Sequence, residues 1–294
     1  MNEKIDVDSR KKRIFIGISI LIILIFIAVY VYSRRLSNKV YTEYSVESSF
    51  NLMKMNSQLQ VEYFPFVNGV IRYSADGISY FCDGKEIWNK GFNISSPVID
   101  VCGDYIVLAE KNSNEIYLFD KSGKQSNISS SYPIVSVEVS RQGVVAATLD
   151  DGDVNYIEMT DKEGTRIAGG QTVITGDGYP VDISIANDGT RLAVSYLAVS
   201  NGTTQSKVVF YNFSSVGQNE IDRIVGGFNQ YKTTLVPDVE FINNTTAVAF
   251  GDNMFTIYHI DEKPSITYEE EFNNKIDSIF YSSKYIGFVF ESTD

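Results

Sequence analysis

Residues 179–194 read YPVDISIANDGTRLAV: a short strand opened by Pro180, a tight Asn-Asp-Gly turn, and a second strand apolar at nearly every position. The same order returns along the chain. A proline introduces a β-branched segment at Pro65-Phe-Val, Pro97-Val-Ile-Asp-Val, Pro133-Ile-Val-Ser-Val-Glu-Val, Pro180-Val-Asp-Ile-Ser-Ile and Pro237-Asp-Val-Glu-Phe, at intervals of 32, 36, 47 and 57 residues. More apolar second strands follow at 144–149 (VVAATL), 191–196 (RLAVSY), 247–250 (AVAF) and 285–290 (YIGFVF). Alternating third strands stand at 115–120 (EIYLFD), 154–159 (VNYIEM), 208–213 (VVFYNF) and 255–259 (FTIYH). Turns such as Asp76-Gly77, Ser122-Gly123, Asp151-Gly152, Glu163-Gly164 and Asp188-Gly189 lie between them, where a positive φ is needed. A weaker fourth strand closes each unit.

Four short strands every 40 or so residues, without an amphipathic helix between them, predict an all-β fold of the β-propeller type. An ordinary β-sandwich also has short, evenly spaced strands, but it does not require one strand pattern to return five times. The reading gives five four-stranded blades from about residue 61 and a partial sixth that begins near Lys275. A terminal strand as aromatic as 285–290 makes a poor exposed edge. Either Val40 to Val46 pair there, or further blades belong to a longer protein; the second is the expectation.

Ahead of the repeats, residues 14–32 (IFIGISILIILIFIAVYVY) run 19 residues without a charge. As a helix they span about 29 Å, the thickness of a bilayer hydrocarbon core. No small-x-small cleavage site follows, so an uncleaved transmembrane anchor is expected rather than a signal peptide. Lys4, Arg10, Lys11, Lys12 and Arg13 precede the helix, against Arg34, Arg35 and Lys39 behind it. This bias places a basic tail, 1–13, in the cytoplasm. A polar stalk, 33–60, and an extracellular domain, 61–294, follow on the other side of the cell membrane.

Charge narrows the partners. The chain holds 37 acidic and 25 basic residues, and residues 36–294 alone carry a net charge of −16. Such a surface repels phosphate, so nucleic acid is excluded as a ligand. A single histidine, His259, on an alternating strand leaves no basis for histidine relays or metal-His clusters.

Tyr179-Pro-Val-Asp-Ile-Ser-Ile-Ala-Asn-Asp-Gly-Thr-Arg-Leu-Ala-Val resembles the opening of a WD40-like, TolB-like or quinoprotein-like blade. The anchor, the stalk and the segments GDYIVLAEKNSNEIYLFDKSGK, SYPIVSVEVSRQGVVAATL and VVFYNFSSVG resemble a family of single-pass membrane proteins from clostridial bacteria. That family has a propeller-like ectodomain of unknown function. The resemblance implies the same fold and anchoring, and supplies no catalytic residues or cofactor. Neither a Gly-His nor a Trp-Asp pair is present, so the polar network that braces WD40 blades is missing.

Enzyme signatures are absent. There is no Gly-x-Ser-x-Gly elbow, phosphate loop or His-Glu-x-x-His. Asp150-Asp151-Gly152-Asp153 departs from a calcium loop and reads as a hairpin turn, so no metal is assigned. Paired carboxylates acting on glycans remain the alternative to a binding role. Cys82 and Cys102 read as two thiols or, outside the cell, a disulfide.

Topology points to a binding face. In a propeller the fourth-to-first and second-to-third connections emerge together. The long connections, 124–132, 169–179, 225–236 and 197–206, all fall in that class, and the opposite face is expected to have only tight turns. Tyr132, Asp177, Tyr179, Phe228 and Tyr231 are therefore the candidate ligand-binding residues, and tyrosines are favoured contact residues. The expected role is a binding or scaffolding module for a protein or cell-wall ligand.

Overall fold

The computed structural model describes residues 2–37, 61–173, 178–200 and 202–291, which fall into a helical and a β-sheet unit. Helix α1 (Asn2–Ser37) includes Phe15–Arg34, long and apolar enough to cross a membrane by length and composition. Val40 to Val46 lie outside the described residues.

The sheet unit is a succession of antiparallel meanders. The first sheet holds β1 (Val61–Phe66), β2 (Gly69–Ser74), β3 (Gly77–Cys82) and β4 (Lys85–Gly91). The second holds β5 (Pro97–Cys102), β6 (Tyr105–Glu110), β7 (Glu115–Asp120) and β8 (Gln125–Ser129). The third holds β9 (Ile134–Val139), β10 (Val145–Asp150), β11 (Val154–Thr160) and β12 (Arg166–Val173). The fourth holds β13 (Tyr179–Ile185), β14 (Arg191–Ser200), β15 (Thr203–Asn212) and β16 (Ile224–Phe228). The fifth holds β17 (Asp238–Phe241), β18 (Thr246–Phe250), β19 (Met254–Ile260) and β20 (Pro264–Glu271). A two-stranded sheet, β21 (Ile276–Tyr281) and β22 (Ile286–Phe290), follows.

Each apolar cluster is a seam between consecutive sheets, and the second strand of a sheet serves two seams at once. On β6, Ile106 and Leu108 pack toward the first sheet while Val107 and Ala109 pack toward the third. On β10, Val145, Ala147 and Leu149 face one way and Ala146 the other. The same split separates Leu192 and Val194 from Ala193, and Ala247 and Ala249 from Val248 and Phe250. A strand buried on both sides has no polar face, hence the near-continuous apolar runs. Third strands share the task less evenly: on β7, Ile116 and Leu118 face the third sheet, Tyr117 and Phe119 the first.

Turn chemistry follows the sequence. Asp120 Oδ1 accepts from Ser122 N and Lys124 N, and Asp161 Oδ1 from Glu163 N and Thr165 N, which fixes the two third-to-fourth turns. Gly189, at φ 71°, has a second role, because a Cβ there would lie 2.8 Å from Val144 Cγ2 of the preceding sheet. Both cysteines are free thiols. Asp150 Oδ1 accepts from Gly152 N at 2.8 Å, so the Asp150–Gly152 stretch is a hairpin turn in the structure as well.

Two expectations need correction. Pro65 does not open a strand: it is the fifth residue of β1, paired with Val70, so the first unit is out of step with the others. The face opposite the long loops does not hold only tight turns. Two 3-10 turns, Val216–Asn219 and Ile221–Arg223, join β15 to β16 there, and Ile221 is 85% exposed.

The last sheet leaves β22 without a strand on its far side among the described residues, with Phe280, Tyr285 and Val289 exposed. A groove of about 520 Å³ beside it is lined by Ile257, Tyr268, Ile286 and Phe288. An open apolar edge templates association. Val289→Lys is therefore expected to reduce self-association of the purified chain with little change in melting temperature; unchanged sedimentation would refute that role for the edge. In the first seam, Phe119 is fully buried and stacks on Trp88 at 5.9 Å. Phe119→Ala should cost about 3–5 kcal/mol in urea unfolding followed by the fluorescence of Trp88, the sole tryptophan.

Candidate functional site

The fourth-to-first and second-to-third connections do lie together, but strands take up more of them than the sequence suggests. β8, β12 and β16 run into three of the expected loops, and β14 and β15, ten residues each, form a hairpin arm. Tyr132, just ahead of β9, is half-buried and stacks on Tyr156 of β11, centroids 4.3 Å apart and 9° from parallel. Tyr179 begins β13, opposite Leu197, and is 36% exposed. Burial and, less strongly, the Asp150 carboxylate raise its phenol pKa. Val199 on the arm and Leu235 in the loop before β17 add exposed apolar surface.

The other candidates stand elsewhere. Tyr231 is a core residue, 1% exposed, and its hydroxyl hydrogen-bonds to that of Tyr258. Its backbone oxygen accepts from Ser206 N, which ties the loop to the arm. Phe228 is half-buried, edge-on to Phe210 at 6.0 Å and tilted against Tyr258 at 4.7 Å. Tyr231 fills the seam under the loop and is closed to solvent, while Phe228 packs beside it with part of its ring at the surface. Asp177 lies outside the described residues.

A second group, not singled out in the sequence, collects where the innermost strands converge. β5 supplies Asp100, β9 Glu138, β13 Asp182, and β17 Asp238 and Glu240. Asp100 Oδ2 accepts from Val139 N of the next sheet at 2.9 Å, and Asp182 Oδ2 accepts from Val239 N of the next sheet at 2.8 Å. Ser184 Oγ accepts from Phe241 N at 2.9 Å and donates to Glu240 Oε2 at 3.3 Å. At one end, Cys102 Sγ reaches Asn187 Oδ1 two sheets away, at 3.4 Å, and Arg141 Nε donates to the same oxygen at 3.1 Å. Contacts between sheets two apart mark this region as the axis.

Burial is the main cause of the electrostatics here, and the neighbouring carboxylates add to it. It pushes the Asp182 carboxyl up to about 7 and Glu240 up to about 8, and raises Asp100, Asp238 and Glu138 as well. The Cys102 thiol, buried beside Asp100, rises to about 11 and is not a ready nucleophile. The signal was present in the quoted strands, each of which carries an acid after its proline: PVID, PIVSVE, PVD and PDVE. Taken one at a time, such an acid is indistinguishable from the polar phase of a half-buried strand. No group of three or more His, Cys, Asp and Glu arranged to hold a metal ion is found among the described residues.

A family model, the family of unknown function DUF5711, matches residues 37–294. The chain belongs to this family. No protein of curated function matches its sequence. Among solved structures, Hsv2 of Kluyvelomyces marxianus is similar at 17% identity and a TM-score of 0.55, over 74% of this chain and 75% of that one. BBS1N, solved in complex with ARL6DN, is similar at 11% identity and 0.53, over 81% and 77%. Sqt1 of Chaetomium thermophilum, solved bound to the N-terminus of the ribosomal protein L10, is similar at 12% identity and 0.50, over 76% and 65%. At these identities the likeness is one of fold: this member of DUF5711 has a propeller-like fold.

The two tyrosines of the loop face should separate cleanly in stability. Tyr231→Ala is expected to cost about 3–5 kcal/mol, as for other large buried aromatics, whereas Tyr179→Ala should cost less than about 1 kcal/mol. Equal losses in chemical denaturation would contradict the placement of Tyr231 in the core and Tyr179 at the surface.

Proposed function

We propose that this chain is a membrane-anchored, extracytoplasmic binding or scaffolding module whose partner is a protein or cell-envelope component. The observation that carries the reading is the loop face: Tyr179, the Tyr132–Tyr156 stack, Val199 and Leu235 gather on the side of the hairpin arm. Strands carry Tyr156, Tyr179 and Val199, which keeps the ordering cost of binding low. Half-exposed aromatics beside apolar residues suit a contact patch, since interface anchors are rich in tyrosine. Two fold neighbours were solved with protein partners, L10 for Sqt1 and ARL6DN for BBS1N. Those partners belong to those proteins, and they support only the general idea that the scaffold serves protein recognition.

Anchoring rests on the apolar stretch Phe15–Arg34, and orientation on the basic residues ahead of it. A glycan-active enzyme with two carboxylates would find its acids at the axis. Asp100 and Asp182 are instead engaged in holding the backbone of the next sheet, which favours a structural role for them. We therefore keep the protein as a non-enzymatic module.

A photo-crosslinking residue introduced at Tyr179 or Val199, in the membranes of its own cells, is expected to yield a discrete adduct that disappears when Tyr132 is changed to alanine. The same residue at Ile221, on the opposite face, should yield none. Adducts from Ile221 alone would move the binding surface to the 3-10 turns and end this assignment.

A further inference from the structure

We propose that a cavity at the turn end of the seam between the second and third sheets binds a free α-amino acid with a small side chain. The cavity measures about 130 Å³ and lies between the β7–β8 and β11–β12 turns. Both are third-to-fourth connections, so the site stands on the face opposite the loop face and is independent of the partner surface there. Asp120, Lys124 and Ser126 line it from the second sheet, and Lys162 and Glu163 from the third. The half-buried Tyr105 and the buried Leu118 complete the lining.

The two turns that carry the charges are built alike. Asp120 Oδ1 accepts from Ser122 N, Ser122 Oγ and Lys124 N at 2.8, 2.6 and 3.1 Å. Asp161 Oδ1 accepts from Glu163 N and Thr165 N at 3.0 and 2.7 Å. Lys124, Lys162 and Glu163 therefore project from backbone that is already fixed, which lowers the cost of ordering them around a ligand. Gly143, at φ 79°, belongs to the same construction. A Cβ there would lie 3.0 Å from Cε1 and Cζ of Tyr105 and 3.2 Å from Lys162 Cβ, so the missing side chain lets the ring and the lysine stem pack side by side. Among the described residues neither Lys124 nor Lys162 forms a salt bridge.

The lining selects the ligand by charge and by size. It holds two cations, two carboxylates, the hydroxyls of Tyr105 and Ser126, and one apolar side chain. A lone anion would meet Asp120 and Glu163 as well as the field of residues 36–294, whose net charge is −16. A lone cation would meet the two lysines. A zwitterion matches both signs: its carboxylate goes to Lys124 and Lys162, and its ammonium to Asp120 and Glu163. A cavity of roughly 150 Å³ takes benzene, so this one has room for about six non-hydrogen atoms, the number in alanine. Leu118 offers contact for a methyl-sized side chain.

Ligand-observed saturation-transfer NMR on the full-length chain in detergent, with L-alanine and L-serine as probes, tests the site. Saturable transfer is expected, with a Kd of about 1 mM or below for at least one of them. Acetate, phosphate and methylammonium, each with a single charge sign, should bind at least about tenfold more weakly. The double variant Lys124→Gln with Lys162→Gln changes two exposed side chains outside the apolar seams, and should weaken amino-acid binding at least about tenfold. Lys111→Gln with Lys232→Gln, exposed lysines away from the cavity, should leave it unchanged. No saturable transfer from either amino acid to the unaltered chain overturns the proposal. So does a single-signed ion that binds as tightly as the amino acids, or a Lys124 and Lys162 double variant that binds them as the wild type does.

Discussion

The double burial of the second strands governs the rest of the molecule. A strand pressed between two neighbouring sheets must be apolar on both faces, and β6, β10, β14 and β18 are. Interiors pack as closely as crystals, so the residues opposite each other must also match in size. This accounts for Ala109, Ala146, Ala147, Ala193, Ala247 and Ala249 beside bulky partners such as Leu108, Leu149, Leu192 and Phe250. With the apolar work assigned to second and third strands, the first strands are free to carry acids toward the axis and the fourth strands to face solvent. β20, with its run of Glu269, Glu270 and Glu271, is exposed along nearly its whole length.

That same constraint explains what could be read from the sequence. The second strands announce themselves because nothing in them alternates, and the turns because Asp and Gly stand where side-chain acceptors and a positive φ are required. Pro65 misled because a proline can occupy a strand without opening it, and in β1 it sits near the far end. Tyr231 misled for a different reason. An aromatic residue in a loop reads identically whether it points outward or inward, and only the placement of Tyr258, 27 residues on, reveals the space it fills. The acids of the first strands were visible but uninformative one at a time. Their meaning is collective, since each becomes unusual only when four sheets bring the others near it.

The axis and the loop face have opposite physical characters. At the axis, burial and neighbouring carboxylates raise the acids, while the backbone N–H groups of Val139 and Val239, donating to Asp100 and Asp182, act in the opposite direction. On the loop face, Tyr179 and the Tyr132–Tyr156 stack are partly exposed, and the stack also packs against the seam between the second and third sheets. Neighbours at 11–17% identity retain the same arrangement of sheets with few side chains in common.

The fourth sheet shows how the two regions connect. β14 begins at Arg191, whose guanidinium bonds Asp188 and the backbone of Asn244, and ends at Ser200 in the arm that flanks Tyr179. Between those ends lie Val194, buried in a seam, and Ser195, whose hydroxyl donates to Val236 O at 2.6 Å. Ser206 on the partner strand returns the bond by accepting from Val236 N at 3.0 Å. The loop before β17 is thus clamped to the base of the arm by both of its backbone groups at one residue. Any loosening of the seam between the fourth and fifth sheets, where Asp182 and Glu240 reside, would act directly on the strands that position the arm and Leu235.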